Sequence, residues 1–236
     1  MQDKRYLLDL NQLFSGDSAE VLFQEALVKV DAERRQKALR MKKVKMQTAS
    51  LGAGLLLQKA LTDITEGSDN IKDKPKIQLF SVKELLARIE CPIMEPEYGY
   101  GRNGKPYFKN YSLKFNLSHS GEYVFCGVSD QEIGADIQEI RDAKELSLAR
   151  RFFSEGESMA LEHCENDEER SQLFFRLWTR KEAYGKLTGQ GIAGVLNKDL
   201  WAAGSEKEEL IWEEYSTPVG YRIAVCKYAP AEWRLA

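Results

Sequence analysis

One helix and one strand, each with polar groups on a single face, set the terms for any fold of this chain. The helix is Ser171–Lys186, closed by Gly189-Gln190-Gly191, and its last turns read Trp178-Thr179-Arg180-Lys181-Glu182-Ala183-Tyr184-Gly185-Lys186. Glu182 and Lys186 stand at i and i+4, so both leave the same face. Some forty residues upstream, Ile133-Gly134-Ala135-Asp136-Ile137-Gln138 reads as a short strand. Asp136 and Gln138 share one side of it. Oxygen ligands from a strand and a helix suit a hard cation such as Mg²⁺, and a nearby ammonium suits a phosphate. The same spacing also fits an Asp paired with Arg141 and an exposed Glu182–Lys186 salt bridge.

The remaining elements alternate between types. Strands are expected at Tyr6–Leu10, Lys76–Phe80, Leu113–Leu117, Leu210–Glu214 and Tyr221–Cys226. Tyr123–Val128 and Glu132–Ile137 read as a hairpin joined by Ser129-Asp130-Gln131. Helices are expected at Ser18–Val30, Ala32–Lys45 and Thr48–Leu61, where Gly52 and Gly54 allow close packing. Three more follow: Ser81–Ile89 capped by Ser81, Ser147–Phe153, and a helix opened by the capping box Ser154-Glu155-Gly156-Glu157. Glu66–Pro75 and Cys91–Asn110 read as loop. This order suggests two α+β lobes with a break near Ser129–Glu132.

At 236 residues, 43% hydrophobic and 30% charged, the chain has the balance of a soluble globular protein. No apolar run is long enough to span a bilayer, and no signal sequence opens it, which points to the cytoplasm and away from membranes. Cys91, Cys126, Cys164 and Cys226 are far apart and His is scarce, so neither zinc nor a disulfide scaffold is expected. A net charge of −3 argues against nucleic acid. The one basic run, Lys29 to Lys45, leaves open a solvated face, a nucleic-acid surface or a dock for an acidic partner.

Two further motifs precede the strand: Gly104-Lys105-Pro106, and Phe115-Asn116-Leu117-Ser118-His119-Ser120. In this order the four motifs resemble the 4′-phosphopantetheinyl transferases, in particular the larger, two-lobed, surfactin-synthetase-activating type. That family is marked by a Gly-x-Asp-x-Glu strand and a Trp-Ser/Thr-x-Lys-Glu-Ala/Ser-x-x-Lys helix. The resemblance implies an α+β fold of two similar lobes, 1–130 and 131–236, each a small antiparallel sheet with helices. A pseudo-twofold would relate them, with the site in the cleft between.

The resemblance also implies Mg²⁺-dependent transfer of phosphopantetheine from coenzyme A to a serine of an apo acyl or peptidyl carrier protein, by a monomer. It assigns Asp136, Gln138 and Glu182 to the metal, and Asp136, Glu182 and Lys186 to catalysis. Gly104, Lys105, Pro106, Ser118, His119 and Lys186 go to coenzyme A. Trp178 is expected to pack against the strand pair, and Lys181 to be a possible exposed partner of Glu157 or Glu162. Gln138 departs from the family's Glu; an amide offers an oxygen without charge. The alternatives are an inactive homologue that keeps coenzyme A or carrier binding, and a nucleic-acid-binding protein using the basic helix.

Overall fold

The computed structural model describes residues 3–14, 16–65, 75–90, 93–141, 145–200 and 210–229. Contacts divide the chain into two compact α+β units, Met1–Gly99 with Tyr107–Asp130, and Tyr100–Pro106 with Gln131–Ala236. Cys91 and most of Glu66–Pro75 lie outside the described residues.

The first unit opens with β1 (Lys4–Asp9) and helices α1 (Asn11–Phe14), α2 (Ala19–Val28), α3 (Ala32–Arg40) and α4 (Val44–Thr65). It continues through β2 (Ile77–Ser81), α5 (Val82–Arg88), the short strands β3 (Tyr98–Tyr100) and β4 (Pro106–Phe108), then β5 (Lys114–Ser120) and β6 (Tyr123–Ser129). Its main sheet has the order β2-β1-β6-β5, with β1–β2 parallel and the other pairings antiparallel. Helix α4 lies on this sheet because Gly52 lets the backbone close in. A Cβ there would sit 2.7 Å from Leu10 and 3.1 Å from Leu8.

The basic run is not one helix. Asp31 caps α3 by accepting from the Arg34 N–H at 2.9 Å, α3 ends at Arg40, and α4 begins at Val44. Ser81 closes a capping box with Glu84 at the start of α5.

The second unit contains β7 (Ile133–Glu139), α6 (Glu145–Phe152), α7 (Glu155–Glu162), α8 (Asp167–Thr188), β8 (Leu210–Tyr215) and β9 (Tyr221–Tyr228). Its sheet is antiparallel in the order β7-β9-β8. The expected hairpin of β6 and β7 does not form. Both edges of β6 are taken, by β1 and β5, while β7 pairs with β9 from the far end of the chain.

Helix α8 begins at an Asn166 cap and ends at Gly189, whose φ of 68° is a left-handed closure that suits glycine. Among the described residues the ring contacts of Trp178 are with Phe153 and Phe174, not with the expected strand pair. Trp178 is half-buried among helices.

Candidate functional site in the second unit

The sequence determines how closely α8 approaches β7. Gly134, Asp136 and Gln138 project to one side of β7, and Gly134 marks that side as the one facing α8. A Cβ on Gly134 would lie 2.0 Å from the Ala183 carbonyl oxygen and 2.6 Å from the Leu187 nitrogen. Only glycine admits this contact. It brings the C-terminal turns of α8 over Asp136.

Three expected residues meet there. Asp136 is 4% exposed, and its Oδ1 accepts a hydrogen bond from Lys186 Nζ at 2.7 Å. Lys186 also donates to the Ala135 carbonyl at 3.1 Å. The lysine thus reaches the strand carboxylate, and Arg141 pairs with Glu139 instead, at 3.5 Å. Glu182 is half-buried, and its carboxylate makes no hydrogen bond among the described residues. Burial pushes its carboxyl up, the Asp136 charge pushes it further, and Lys186 only partly opposes them. Lys186 pairs with Asp136, and Glu182 stands within electrostatic reach of both.

The hard-oxygen chemistry of these groups fits a small divalent cation. Asp136 and Glu182 would supply charged oxygens, and Gln138, half-buried at the next position on the same face, a neutral one. Among the described residues no cluster of three or more His, Cys, Asp or Glu occurs. Such a cation would therefore depend on water or substrate oxygens as well.

The tip of the β3–β4 ribbon also belongs to this unit. Gly104 and Asn103 adopt positive φ, 76° and 53°, and the Gly101 N–H closes the turn on the Lys105 carbonyl at 2.8 Å. Lys105 Nζ donates to Glu132 and to the Ile133 carbonyl, both at 3.0 Å, beside the start of β7. Pro106 begins β4. Asn103 Nδ2 donates to the Gly189 carbonyl at 2.7 Å, fastening this loop to the end of α8.

Lys181 is not an exposed residue. It is fully buried, 2.7 Å from Glu157, and donates to the Lys198 carbonyl. Glu157 also accepts from the Leu200 N–H at 3.0 Å and closes the capping box with Ser154. The pair ties α7, α8 and the segment after α8 together.

Ser118 and His119 lie in the first unit, on β5. They line a pocket of about 120 Å³ with Arg34, Lys37, Met46 and Ser50. The basic run divides by role. Arg34 and Lys37 reach this pocket, whereas Arg35 donates to the Leu27 carbonyl in the last turn of α2 and to the Val30 carbonyl beyond it. Lys29 likewise donates to the Leu86 and Ile89 carbonyls. The sequence offered the charges but not this division, because charge alone does not show that Arg34 is buried while Lys37 and Arg40 are exposed.

Comparison with known proteins bears on the strand and helix motifs, which both lie within the matched residues. Residues 132–226 match the model of the 4′-phosphopantetheinyl transferase superfamily. The 4′-phosphopantetheinyl transferase HetI of Nostoc is 43% identical over 120 residues, 48% of this chain and 50% of that protein. The 4′-phosphopantetheinyl transferase psf-1 of Bacillus pumilus is 38% identical over 140 residues, 55% of this chain and 59% of that protein. The 4′-phosphopantetheinyl transferase Sfp of Bacillus subtilis is 34% identical over 126 residues, 49% and 55% of the two chains. The chain thus spans little more than half the length of the curated relatives it matches. Residues 132–226 are thus similar to the 4′-phosphopantetheinyl transferase superfamily.

Proposed function

We propose that this chain transfers the 4′-phosphopantetheine group of coenzyme A to a serine of an apo acyl or peptidyl carrier protein, releasing 3′,5′-ADP. The serine oxygen forms the new bond to phosphorus, the phosphoanhydride bond to the ADP moiety breaks, and the serine proton leaves. The observation that carries this reading is the convergence of Asp136, Glu182 and Lys186 across the Gly134 contact.

Each residue then has a task. Lys186, held by Asp136, presents a cation to the pyrophosphate. Glu182, whose proton affinity is raised, is suited to take the serine proton directly or through a water. Asp136, Glu182 and Gln138 would hold Mg²⁺, which when bound neutralises charge on the bridging phosphates. Lys105, in its Gly104-Lys105-Pro106 turn, binds the nucleotide end of coenzyme A. Ser118 and His119 contact its phosphates, and Arg34 and Lys37, in the same pocket, add charge for the 3′-phosphate. The chain acts as a cytoplasmic monomer. No helix among the described residues is long and apolar enough to cross a membrane.

Intact mass spectrometry of an apo carrier protein incubated with this chain, coenzyme A and Mg²⁺ tests the reading. The expected result is a gain of one phosphopantetheine, abolished by EDTA and by Asp136→Ala and preserved in Gln138→Glu. The neutral side chain at 138 favours a second reading, an inactive homologue that binds coenzyme A. No gain on several carrier types despite coenzyme A binding would support it.

A further inference from the structure

A second polar pocket lies in the same unit, lined by none of the residues assigned above. It measures about 280 Å³ and is walled by Arg176 and Thr179 of α8 and by Glu214, Tyr215, Ser216 and Arg222 around the β8–β9 turn. Arginine dominates its charge. Arg176 and Arg222 line it, and Arg180 stands behind Glu214.

Glu214 is the one carboxylate in the wall, and its oxygens are already engaged. They accept from Arg176 Nε and Nη2, both at 2.8 Å, and from Arg180 Nε and Nη2 at 3.1 and 2.6 Å. Burial opposes ionisation, but these four bonds win and hold its carboxyl at about 2. Glu214 is therefore charged at any working pH and accepts from both guanidinium groups.

Arg222 differs from both of these arginines. Its Nη2 donates at 2.6 Å to Gln172, a neutral partner. It forms no ion pair among the described residues, and its buried Nε has no hydrogen-bond partner there. A guanidinium has five N–H donors in a fixed fork that matches the spacing of carboxylate and phosphate oxygens. In a partly buried pocket, a guanidinium with no ion-pair partner among the described residues favours an anion over water. The Ser216 hydroxyl adds a further polar group to the wall.

We propose that this pocket binds a single oxyanion group, a phosphate or a carboxylate, through Arg222 with Arg176 beside it. The two sources of that chemistry are a free phosphate-like ion and an acidic side chain of a protein partner. The proposal does not rest on phosphopantetheine transfer and stands if that reaction fails.

The test uses the ¹⁵N-labelled full chain and reads the arginine Nε–H resonances, with that of Arg222 identified by its loss in Arg222→Lys. Inorganic phosphate and a capped tetraglutamate peptide are titrated separately. At least one should shift the Arg222 resonance saturably. A response to phosphate alone identifies a free ion, and tighter binding of the peptide identifies a protein-borne carboxylate. In Arg222→Gln, the Arg176 resonance should need about tenfold more of the same anion to saturate. If neither anion moves Arg222, or Arg222→Gln saturates with wild-type affinity, the proposal is wrong. Should Arg222→Gln fail to fold, Arg222→Lys replaces it. Loss of the fork geometry should still weaken binding several-fold.

Discussion

Glu182 holds its negative charge at a cost. Its carboxyl is raised by burial and by Asp136, so the folded state binds its proton more tightly than the unfolded chain does. Its contribution is favourable below the ordinary glutamate range and is lost as pH rises from that range through the raised folded value. At neutral pH, Glu182→Gln should therefore raise the melting temperature of the metal-free protein, as expected where function keeps a strained charge in place. Thermal unfolding with and without Mg²⁺ checks both halves of the idea. The wild type should gain stability from the ion at pH 7, and Glu182→Gln should gain little. Lys186 acts in the opposite direction. Lys186→Met would leave Asp136, 4% exposed, and Glu182 facing each other without a cation. A loss of about 2 kcal/mol in denaturant unfolding at pH 7 is expected, shrinking in acid as the carboxylates protonate.

Elements carry these residues, and their pairing is specified unevenly along the chain. Local signals identified most of them: Ser81 and Ser154 open helices as capping boxes, and Gly189 closes α8. The i,i+4 and i,i+2 spacings placed Glu182 with Lys186 and Asp136 with Gln138. Pairing between distant strands left no such trace. Nothing local distinguishes a β6–β7 hairpin from β7 seated on β9, and Arg222 opposite Gln138 follows only from that register. For Lys181 the partner Glu157 was among the two expected, and only the burial of the pair was not legible, because charge suggests solvent.

Two substitutions test the packing of these elements. Gly134→Ala must push α8 off β7 and should cost about 3 kcal/mol or more, with loss of any Asp136-dependent activity. Lys181→Met strands the buried Glu157 carboxylate and should cost about 3–5 kcal/mol, measured by urea unfolding.

At the scale of the whole molecule, composition and element order anticipated an α+β chain, and two compact units are present. Sequence order alone did not reveal that the ribbon tip Tyr100–Pro106 groups with the second unit. The tip is joined to it by side chains: Asn103 to the end of α8, and Lys105 to the start of β7. Asn103→Ala should speed amide hydrogen exchange in the last turn of α8 and cost about 1 kcal/mol, leaving exchange in the β1–β6 core unchanged.

That loop also sets a rule for recombining this chain with its relatives. A chimera joined at residue 130 would inherit α8 from one parent and the hairpin tip that fastens it from the other. Parents whose tip and helix end have diverged together would then yield mismatched progeny. A crossover that carries residues 100–106 along with the C-terminal half keeps the fastening and its helix under common descent.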